Sequence, residues 1–332
     1  MELITMTIKT LTTATKSTLN RTLHRAKSAK NDEFYTRMED IAAELAHYKD
    51  QFKGKVIFCG CDDYKKSNFY KFCKQNFNAL GIKRLVCSGV ENADTMKGSY
   101  VEFDGKNETI IENCDGTFQA NIPKVVEKYG SKNVVFITNP PFSPFRNLVN
   151  LLQTLNVSYL MLANKNCITY KEVFNLFKSN SIRAGYGKWG GGMWFQTTNM
   201  NDVDKIVNGV ALKNVPSIWV TNLTVDVSAK CALAKLNYDF SKPETLDSYY
   251  ELSEDERNKK YPKYDNYDAI NIDKSNTIPG DYFGEIGVPI SFMYYLDPTV
   301  WEVVKFRKGN DDKDLCVNGK CPYFRVIIKR KK

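Results

Sequence analysis

One short stretch constrains the fold more than any other: an apolar run that stops at a polar, proline-rich turn. The run 133–138 (Asn-Val-Val-Phe-Ile-Thr) has the length and composition of a strand buried on both faces, as in a parallel sheet. Asn139-Pro140-Pro141-Phe142 follows it directly. Functional groups of open α/β sheets lie just past the carboxyl ends of such strands. The sequence therefore predicts an α/β fold with a site at this turn.

The residue types of the turn are suited to bind a planar ring that carries an amino group. The amide oxygen of Asn139 and the carbonyl oxygen of Pro140 can accept its two N–H hydrogen bonds. Acceptors held off the ring plane would pull the nitrogen towards tetrahedral geometry and free its lone pair for attack on a methyl group. Pro141 would fix the backbone, and Phe142 would stack on an extruded base. The alternative interpretation is a stiff turn without a function.

Strand and helix patterns alternate on both sides of this turn. Strands are predicted at 55–60, 82–88, 133–138, 159–163 and 217–224, helices at 36–49, 66–80, 121–129, 144–155 and 170–177, and a hairpin at 100–113. This alternation indicates a doubly wound, mostly parallel sheet with helices on both faces.

Several strings of the chain, in the same order, resemble one family: the adenine-specific DNA methyltransferases of the EcoRI modification type. The resemblance runs from about Leu19 to the C-terminus and is carried by 30–37, 40–41, 48–49, 55–69, 139–143, 167–172, 219–223, 261–270 and 287–292. It implies a methyltransferase that moves a methyl group from S-adenosylmethionine to N6 of an adenine flipped out of duplex DNA. It also implies a place in, or an origin from, a restriction-modification system.

The resemblance puts the S-adenosylmethionine site at the carboxyl end of the first strand, in the segment 56–63. Gly60 would let the backbone approach the ligand closely. Asp62 or Asp63 would accept hydrogen bonds from the methionine ammonium group or the ribose. The acid that often holds the ribose hydroxyls is not evident, and Glu91 is the nearest choice.

Two further segments complete the expected cofactor pocket. Phe34, Tyr35 and Thr36 resemble the segment that packs beside the methionine moiety, although Thr36 is equally suited to cap the next helix. Asp115 and Phe118 occupy the place where the family has an acid facing the cofactor adenine, with Phe118 stacking nearby. The alternative for Asp115 is an ordinary Asp-Gly turn.

The order of these segments divides the chain into three regions. A basic N-terminal arm is predicted at 1–30, an S-adenosylmethionine-binding catalytic domain at 31–224, and a target-recognition and C-terminal region at 225–332. The formal charge of +9, from 47 Lys and Arg against 38 Asp and Glu, modestly favours a polyanionic partner.

Within the third region, aromatic and cationic residues interleave between 238 and 281. Such mixtures suit contacts with bases and phosphates. Lys259, Lys260, Lys263 and Tyr264 are therefore the predicted DNA-binding residues. The alternative is a solvated insert that packs on the main domain.

The cysteines point to a reducing compartment. Nine cysteines are scattered along the chain without a secretory signal or a membrane-spanning apolar run, which predicts a cytoplasmic protein. The pairs Cys59/Cys61 and Cys316/Cys321 lack the spacing of a structural zinc site, so no metal is expected. The residues 317–320 predict a tight hairpin turn between edge strands.

The expected partners are duplex DNA and, acting separately, a cognate restriction endonuclease; the expected state is a monomer without a membrane. Two alternatives remain open on the sequence. The same turn would serve methyl transfer to RNA or to a protein amide, because each offers a planar amino group. A non-catalytic DNA-binding protein on the same fold is the other.

Overall fold

The computed structural model describes residues 34–332, so the predicted basic arm at 1–30 lies outside the described residues. The described chain forms two compact units. The first takes in residues up to Val173 together with Gly187–Leu223, and the second consists of Phe174–Tyr186 and Thr224–Lys332.

The first unit alternates strands and helices. In chain order it contains β1 (Phe34–Thr36), α1 (Met38–Leu45), α2 (Lys49–Phe52), β2 (Val56–Gly60), α3 (Asn68–Gln75), β3 (Arg84–Asn92), β4 (Lys97–Phe103), β5 (Glu108–Asp115), α4 (Phe118–Tyr129), β6 (Val134–Thr138), α5 (Phe145–Thr154), β7 (Ser158–Asn164) and the start of α6 (Lys171–Lys178). After β8 (Arg183–Ala184) of the second unit, it continues with β9 (Met193–Thr197), β10 (Lys205–Val207), β11 (Val210–Val215) and β12 (Ser217–Thr221).

The strands of the large sheet in this unit lie in the order β5-β4-β3-β2-β6-β7-β12. The central strands β3, β2, β6 and β7 pair in parallel. The flanking strands β4, β5 and β12 pair antiparallel with their neighbours. The predicted α/β class with a large sheet is confirmed, and the sheet is mixed: its parallel part is limited to the centre.

Burial separates the strands that are covered on both faces from the exposed edge of the sheet. Every residue of β2, β6 and β12 is buried, as expected for strands covered on both faces. The edge strand β5 is exposed along nearly its whole length. The predicted hairpin at 100–113 is confirmed as β4–β5, with Phe103 opposite Glu108.

The strand order reverses beside β2. The chain passes from β2 to β3 on one side, and it later places β6 on the other side. Such a reversal leaves a crevice at the carboxyl ends of the two strands, which is where open α/β sheets bind ligands. The carboxyl end of β6 is Thr138, directly before Asn139. A second, smaller sheet of the first unit has the order β1-β9-β11-β10.

Three glycines pack the backbone tightly at the end of β3. A Cβ atom on Gly98 would lie 1.8 Å from the carbonyl oxygen of Gly89, and one on Gly116 would lie 2.3 Å from the same oxygen. A Cβ atom on Gly89 would lie 2.4 Å from the carbonyl oxygen of Asp62. The absence of side chains at these positions therefore lets the segments after β2 and β5 approach the end of β3.

The second unit is built on a sheet of β13 (Ile270–Asn271), β14 (Glu285–Pro289), β16 (Arg325–Arg330) and β15 (Trp301–Phe306), in that order, with helices α7 (Val227–Leu233) and α8 (Glu254–Lys260). Lys230 is buried in this unit, and its Nζ donates hydrogen bonds to the carbonyl oxygens of Ala184 (2.7 Å) and Tyr294 (2.8 Å). This side chain thereby fastens the 174–186 segment to the rest of the second unit.

The tight turn predicted at 317–320 is confirmed by a bridge between Val317 and Lys320. Its flanks are not edge strands, and a disulfide bond that the sequence did not predict joins Cys316 to Cys321. The carboxylate of Asp265 accepts hydrogen bonds from two backbone N–H groups of this turn. The turn is therefore closed by a covalent bond at its ends, and the Asp265 carboxylate caps its tip.

None of the helices between residues 34 and 332 is both long and apolar enough to cross a membrane. The same range contains no group of three or more His, Cys, Asp or Glu side chains placed to hold a metal ion.

The glycine packing generates a stability prediction. We expect Gly98→Ala to lower the free energy of unfolding by about 1–3 kcal/mol, because the new methyl group must displace the Gly89 backbone. Gly190→Ala is the matched control, since its Cβ atom meets nothing within 4 Å and should change stability by less than about 0.5 kcal/mol. Urea denaturation of both variants measures this, and equal stabilities would contradict the close backbone approach.

Candidate active site

The Asn139–Phe142 turn lies between a buried strand and an amphipathic helix. Thr138 before it is fully buried, and Pro140 is buried, whereas Asn139 and Phe142 are half-buried and Pro141 is exposed. The Phe145 N–H donates to the Phe142 carbonyl oxygen (3.4 Å), and α5 begins there. The turn is therefore held at both ends and presents its polar residue at the crevice beside β2.

Asp62, two residues past β2, reaches across this crevice. Its carboxylate accepts a hydrogen bond from the Ser67 hydroxyl at Oδ1 and one from the Thr138 hydroxyl at Oδ2, both 2.7 Å long. Its backbone N–H donates to the carbonyl oxygen of Ser88 (3.0 Å), the β3 residue at which the pairing with β2 ends. Asp62 thus joins the ends of β2 and β6 and the middle of β3 to the start of α3.

Burial raises the pKa of Asp62 to about 6, because removal from water disfavours the charged form. The hydrogen bonds from Ser67 and Thr138 oppose that rise, because they stabilise the carboxylate. At neutral pH the group is mostly ionised and accepts both hydroxyl protons, in agreement with the two short distances.

Gly60, the last residue of β2, and Cys61, which follows it, both lie in restricted surroundings. A Cβ atom on Gly60 would lie 2.3 Å from Cε2 of Phe136, so the glycine is required by ring packing inside the sheet. This packing accounts for the glycine by itself, and the close approach of a ligand to Gly60 stays a prediction. Cys61 has a φ of 73°, a left-handed conformation that cysteine rarely adopts. Such strain often persists at functional sites, where surrounding structure enforces it.

The Phe34–Thr36 segment is strand β1, which pairs antiparallel with β9. Tyr35 is half-buried and Thr36 is buried. The N-cap position of α1 is Arg37, so the alternative that Thr36 caps this helix is wrong. The Thr36 carbonyl oxygen instead accepts from Asn68 Nδ2 (2.8 Å). Its Oγ1 is buried and has no hydrogen-bond partner among residues 34–332.

Asp115 ends β5 and is exposed. Its Oδ1 accepts from the Thr117 N–H (2.9 Å) and hydroxyl (2.7 Å), and the Thr117 hydroxyl caps α4. The Asp115 carboxylate therefore supports the start of α4 and remains at the surface. Phe118 is only 7% exposed, so most of its ring packs in the core and little is left to stack on a ligand.

Side-chain hydrogen bonds and one close backbone contact bring four of the predicted segments together. Ser67 binds Asp62, and the adjacent Asn68 binds Thr36. Thr138 binds Asp62 and directly precedes Asn139. Gly116, next to Asp115, packs on Gly89. The 34–36, 60–63, 115–118 and 138–142 segments therefore converge on one edge of the large sheet.

Sequence reasoning missed Ser67, Asn68 and Thr138 as parts of the site. A signal existed for Ser67, because a serine before a helical pattern is a typical N-cap, and its Oγ does accept from the Tyr70 N–H (3.2 Å). The sequence marks Thr138 only as the last residue of a strand. Nothing in the sequence indicated that its hydroxyl meets Asp62.

The predicted DNA-binding lysines all lie on the surface of the second unit. Lys259 is exposed near the end of α8. Lys260 forms an ion pair with Asp247 (2.8 Å), which raises the pKa of the lysine through that hydrogen bond. Lys263 lies 3.8 Å from Asp268, and its side chain remains 71% exposed. All three ammonium groups can reach solvent and a polyanion.

Tyr264, the fourth predicted DNA-binding residue, lies inside the second unit, and its contact with DNA stays a prediction. Its ring is 5% exposed and packs with Ala269, Leu315 and Ile327. Its hydroxyl donates to Asn271 Oδ1 (2.8 Å). A tyrosine with its ring in the core and its hydroxyl in a hydrogen bond supports the second unit from inside.

Residues 263–268 with Asn310 and Asp311 line an open cleft of about 610 Å³ in this unit.

Comparisons with known proteins agree with the resemblance that the sequence carries. The model of the family "adenine-specific methyltransferase EcoRI" matches residues 22–331. The type II methyltransferase M.EcoRI of Escherichia coli is 38% identical over 341 aligned residues, covering 96% of this chain and 98% of that protein. M.MpnI of Mycoplasma pneumoniae is 34% identical (93% and 98% covered), and M.MgeORF184P of Mycoplasma genitalium is 32% identical (92% and 98% covered).

Among solved structures, a candidate RNA methyltransferase from Pyrococcus horikoshii overlaps 58% of this chain and 87% of its own, with 11% identity and a TM-score of 0.28. That likeness is too low to carry an argument. The family match spans nearly the whole chain and includes every segment of the crevice described above. The chain therefore belongs to the EcoRI family of adenine-specific DNA methyltransferases.

Proposed function

We propose that this enzyme transfers a methyl group from S-adenosylmethionine to N6 of a specific adenine in duplex DNA. The observation that carries the proposal is the Asn139–Phe142 turn at the carboxyl end of β6, where the strand order reverses beside β2. The type II methyltransferases among its relatives support duplex DNA as substrate and a restriction-modification setting.

The turn supplies the chemistry of the acceptor. Asn139 Oδ1 and the Pro140 carbonyl oxygen accept the two N–H bonds of the adenine amino group, which turns its lone pair towards the methyl donor. Pro141 keeps the two acceptors in a fixed relation. The half-buried ring of Phe142 stacks on the flipped base. Catalysis then rests on positioning and hydrogen bonding, and no strong base is required.

S-adenosylmethionine, when bound, supplies an electrophilic methyl group on a positively charged sulfur. The residues of the crevice fit such a group. The buried Thr36 hydroxyl has no partner among the described residues, and Tyr35 beside it is half-buried. Asp63 and Asp115 add carboxylates at the same sheet edge, which favour a cationic ligand. We assign cofactor binding to Tyr35, Thr36, Asp63 and Asp115, with Phe34 on the same strand.

Three of the predicted cofactor residues make other contacts in this structure: Asp62, Gly60 and Phe118. The Asp62 carboxylate is already engaged by two hydroxyl groups, and Gly60 accommodates the Phe136 ring. Phe118 is mostly buried. A direct contact of these three with the cofactor is therefore the weaker part of the sequence-based assignment.

Each unit fits one part of this reaction. The first unit holds the crevice and is assigned as the S-adenosylmethionine-binding catalytic domain of a doubly wound methyltransferase fold. The second unit carries Lys259, Lys260 and Lys263 at its surface and is assigned to target recognition. The domain limits 31–224 and 225–332, the monomeric state, the cytoplasmic location and a separately acting endonuclease stay predictions.

The reaction is tested directly with radiolabelled S-adenosylmethionine and mixed-sequence duplex DNA, followed by digestion to nucleosides. We expect label in N6-methyladenine. Parallel incubations with RNA and with protein acceptors test the alternative that the turn grips another planar amino group. Cofactor binding without label in any acceptor would instead favour a non-catalytic DNA-binding protein.

We expect Asn139→Ala to abolish methyl transfer while binding of S-adenosylmethionine survives, because the substitution removes one of the two acceptors and leaves the cofactor residues in place. The loss of a preorganised hydrogen-bonding group typically costs about 10²–10³-fold in kcat. Single-turnover transfer of label gives the rate, and calorimetry gives the cofactor affinity.

Asn150→Ala is the matched control for this substitution. Asn150 is exposed on α5, the helix that follows the turn, so the same change of side chain should leave the rate unaltered. Methylation by Asn139→Ala at the wild-type rate would refute the role of the turn.

A second prediction concerns DNA binding. We expect the triple variant Lys259→Ala/Lys260→Ala/Lys263→Ala to weaken duplex binding and to flatten its dependence on salt by about 0.9 in log–log slope for each phosphate contact removed. Lys260 should contribute least, since Asp247 already pairs with it. Fluorescence anisotropy over a range of salt concentrations measures both quantities.

Lys83, Lys106 and Lys132 provide a control of equal charge. All three are exposed at the edge of the large sheet that holds the amino ends of β3 and β6, opposite the crevice. Their replacement by alanine should leave the salt slope near that of the wild type. Equal slopes for both triple variants would place the DNA surface elsewhere.

A further inference from the structure

We infer that Asp62 is a positioning residue, which holds the Asn139–Phe142 turn in its working geometry through the hydroxyl of Thr138. The inference rests on the proposed function of that turn. It gives Asp62 a role different from the direct cofactor contact expected from the sequence, and it adds Thr138 and Ser67 to the residues on which the reaction depends.

The backbone alone does not hold the end of β6 against β2. The parallel pairing of the two strands runs through Val56–Val134 and Ile57–Val135, and ends at Phe58–Phe136. Beyond that pair the strands are joined by side chains: the Phe136 ring packs over Gly60, and Asp62 Oδ2 accepts from the Thr138 hydroxyl. The hydrogen bond from Thr138 is thus the side-chain tie to the β2 side directly before the catalytic turn, while on its other side β6 pairs with β7 up to Thr138–Met161.

The chemistry of threonine makes this tie effective. Two heavy atoms on Cβ leave the side chain of Thr138 few rotamers, so a fixed Oγ1 also fixes the direction of the backbone at Thr138. Thr138 is fully buried, which leaves its hydroxyl no water as an alternative partner. Asn139 is the next residue, and the placement of its amide and of the Pro140 carbonyl follows from that backbone direction.

The other side of the Asp62 carboxylate is equally restrained. Ser67 donates its hydroxyl proton to Oδ1, while the Ser67 oxygen accepts from the Tyr70 N–H (3.2 Å) as the N-cap of α3. The helix start therefore holds Ser67, Ser67 holds Asp62, and Asp62 holds Thr138. The adjacent Asn68 extends the same chain of contacts to the Thr36 carbonyl oxygen (2.8 Å).

The geometry of the acceptor turn decides the rate, because methyl transfer requires the amino nitrogen in line with the methyl group. A misplacement of about 1 Å can cost on the order of 10²-fold in rate. Loss of the tie should therefore lower kcat strongly. It should change the affinity for S-adenosylmethionine little, since Thr138 lies on the acceptor side of the crevice.

The test compares Thr138→Val with Thr138→Ser. Valine keeps the shape of threonine and removes the hydroxyl, so we expect kcat to fall by about 10²-fold with the cofactor dissociation constant within about threefold of wild type. Serine retains the hydroxyl and should restore most of the rate. A purely structural role would not separate kcat from cofactor binding, nor would it be rescued by serine.

Thr221→Val is the matched control. Thr221 is also a fully buried last residue of a strand, β12, and its hydroxyl also makes a short hydrogen bond, to the Tyr159 carbonyl oxygen (2.6 Å). Its replacement should lower thermal stability to a similar degree and leave kcat unchanged. Equal losses of kcat in Thr138→Val and Thr221→Val would overturn the inference.

A double-mutant cycle identifies Asp62 as the partner. Asp62→Ala and Thr138→Val each remove the hydrogen bond between the two residues, so the double variant should lose little more kcat than the more impaired single variant. Multiplicative losses would show that the two residues act independently and would overturn the inference, as would wild-type kcat in Thr138→Val. The proposed function fails separately, if the wild-type enzyme itself transfers no label to adenine.

Discussion

The structure of the first unit depends on one buried carboxylate at the point where the strand order reverses. Parallel strands that diverge there open a crevice, and an open crevice has polar backbone ends that must be held in place. Asp62 meets this need with two hydroxyl donors, one from the helix start at Ser67 and one from the strand end at Thr138. Because burial disfavours its charge, the carboxylate requires both donors, and so it fixes both elements.

Close backbone packing completes the same edge of the sheet. Gly89, Gly98 and Gly116 let the segments after β2, β3 and β5 approach within distances that any side chain would prevent. Cys61 accepts a left-handed conformation beside them. The Asn139–Phe142 turn is held from both sides, by buried Thr138 before it and by α5 after it.

The second unit shows how burial changes the meaning of an aromatic residue. A tyrosine next to lysines in the sequence suggested a contact with DNA, but Tyr264 packs inside the unit, whereas the three lysines lie at its surface. Lys230 is the opposite case: a charged residue lies in the core, where it donates hydrogen bonds to two carbonyl oxygens. In both cases residues distant in the chain decide where the side chain lies, apolar packing partners for Tyr264 and carbonyl groups for Lys230.

Local patterns were sufficient for the strands of the parallel centre, the β4–β5 hairpin and the Asn139–Phe142 turn, because apolar runs, turn residues and prolines act over a few neighbouring residues. The same patterns identified the family, since its segments recur in order. Only the tertiary structure decided that Gly60 serves a ring, that Tyr264 is core, and that Asp62 meets Thr138 from 76 positions away. Such contacts depend on which strands become neighbours, and sheet order is fixed by packing of the whole unit rather than by any local run of residues.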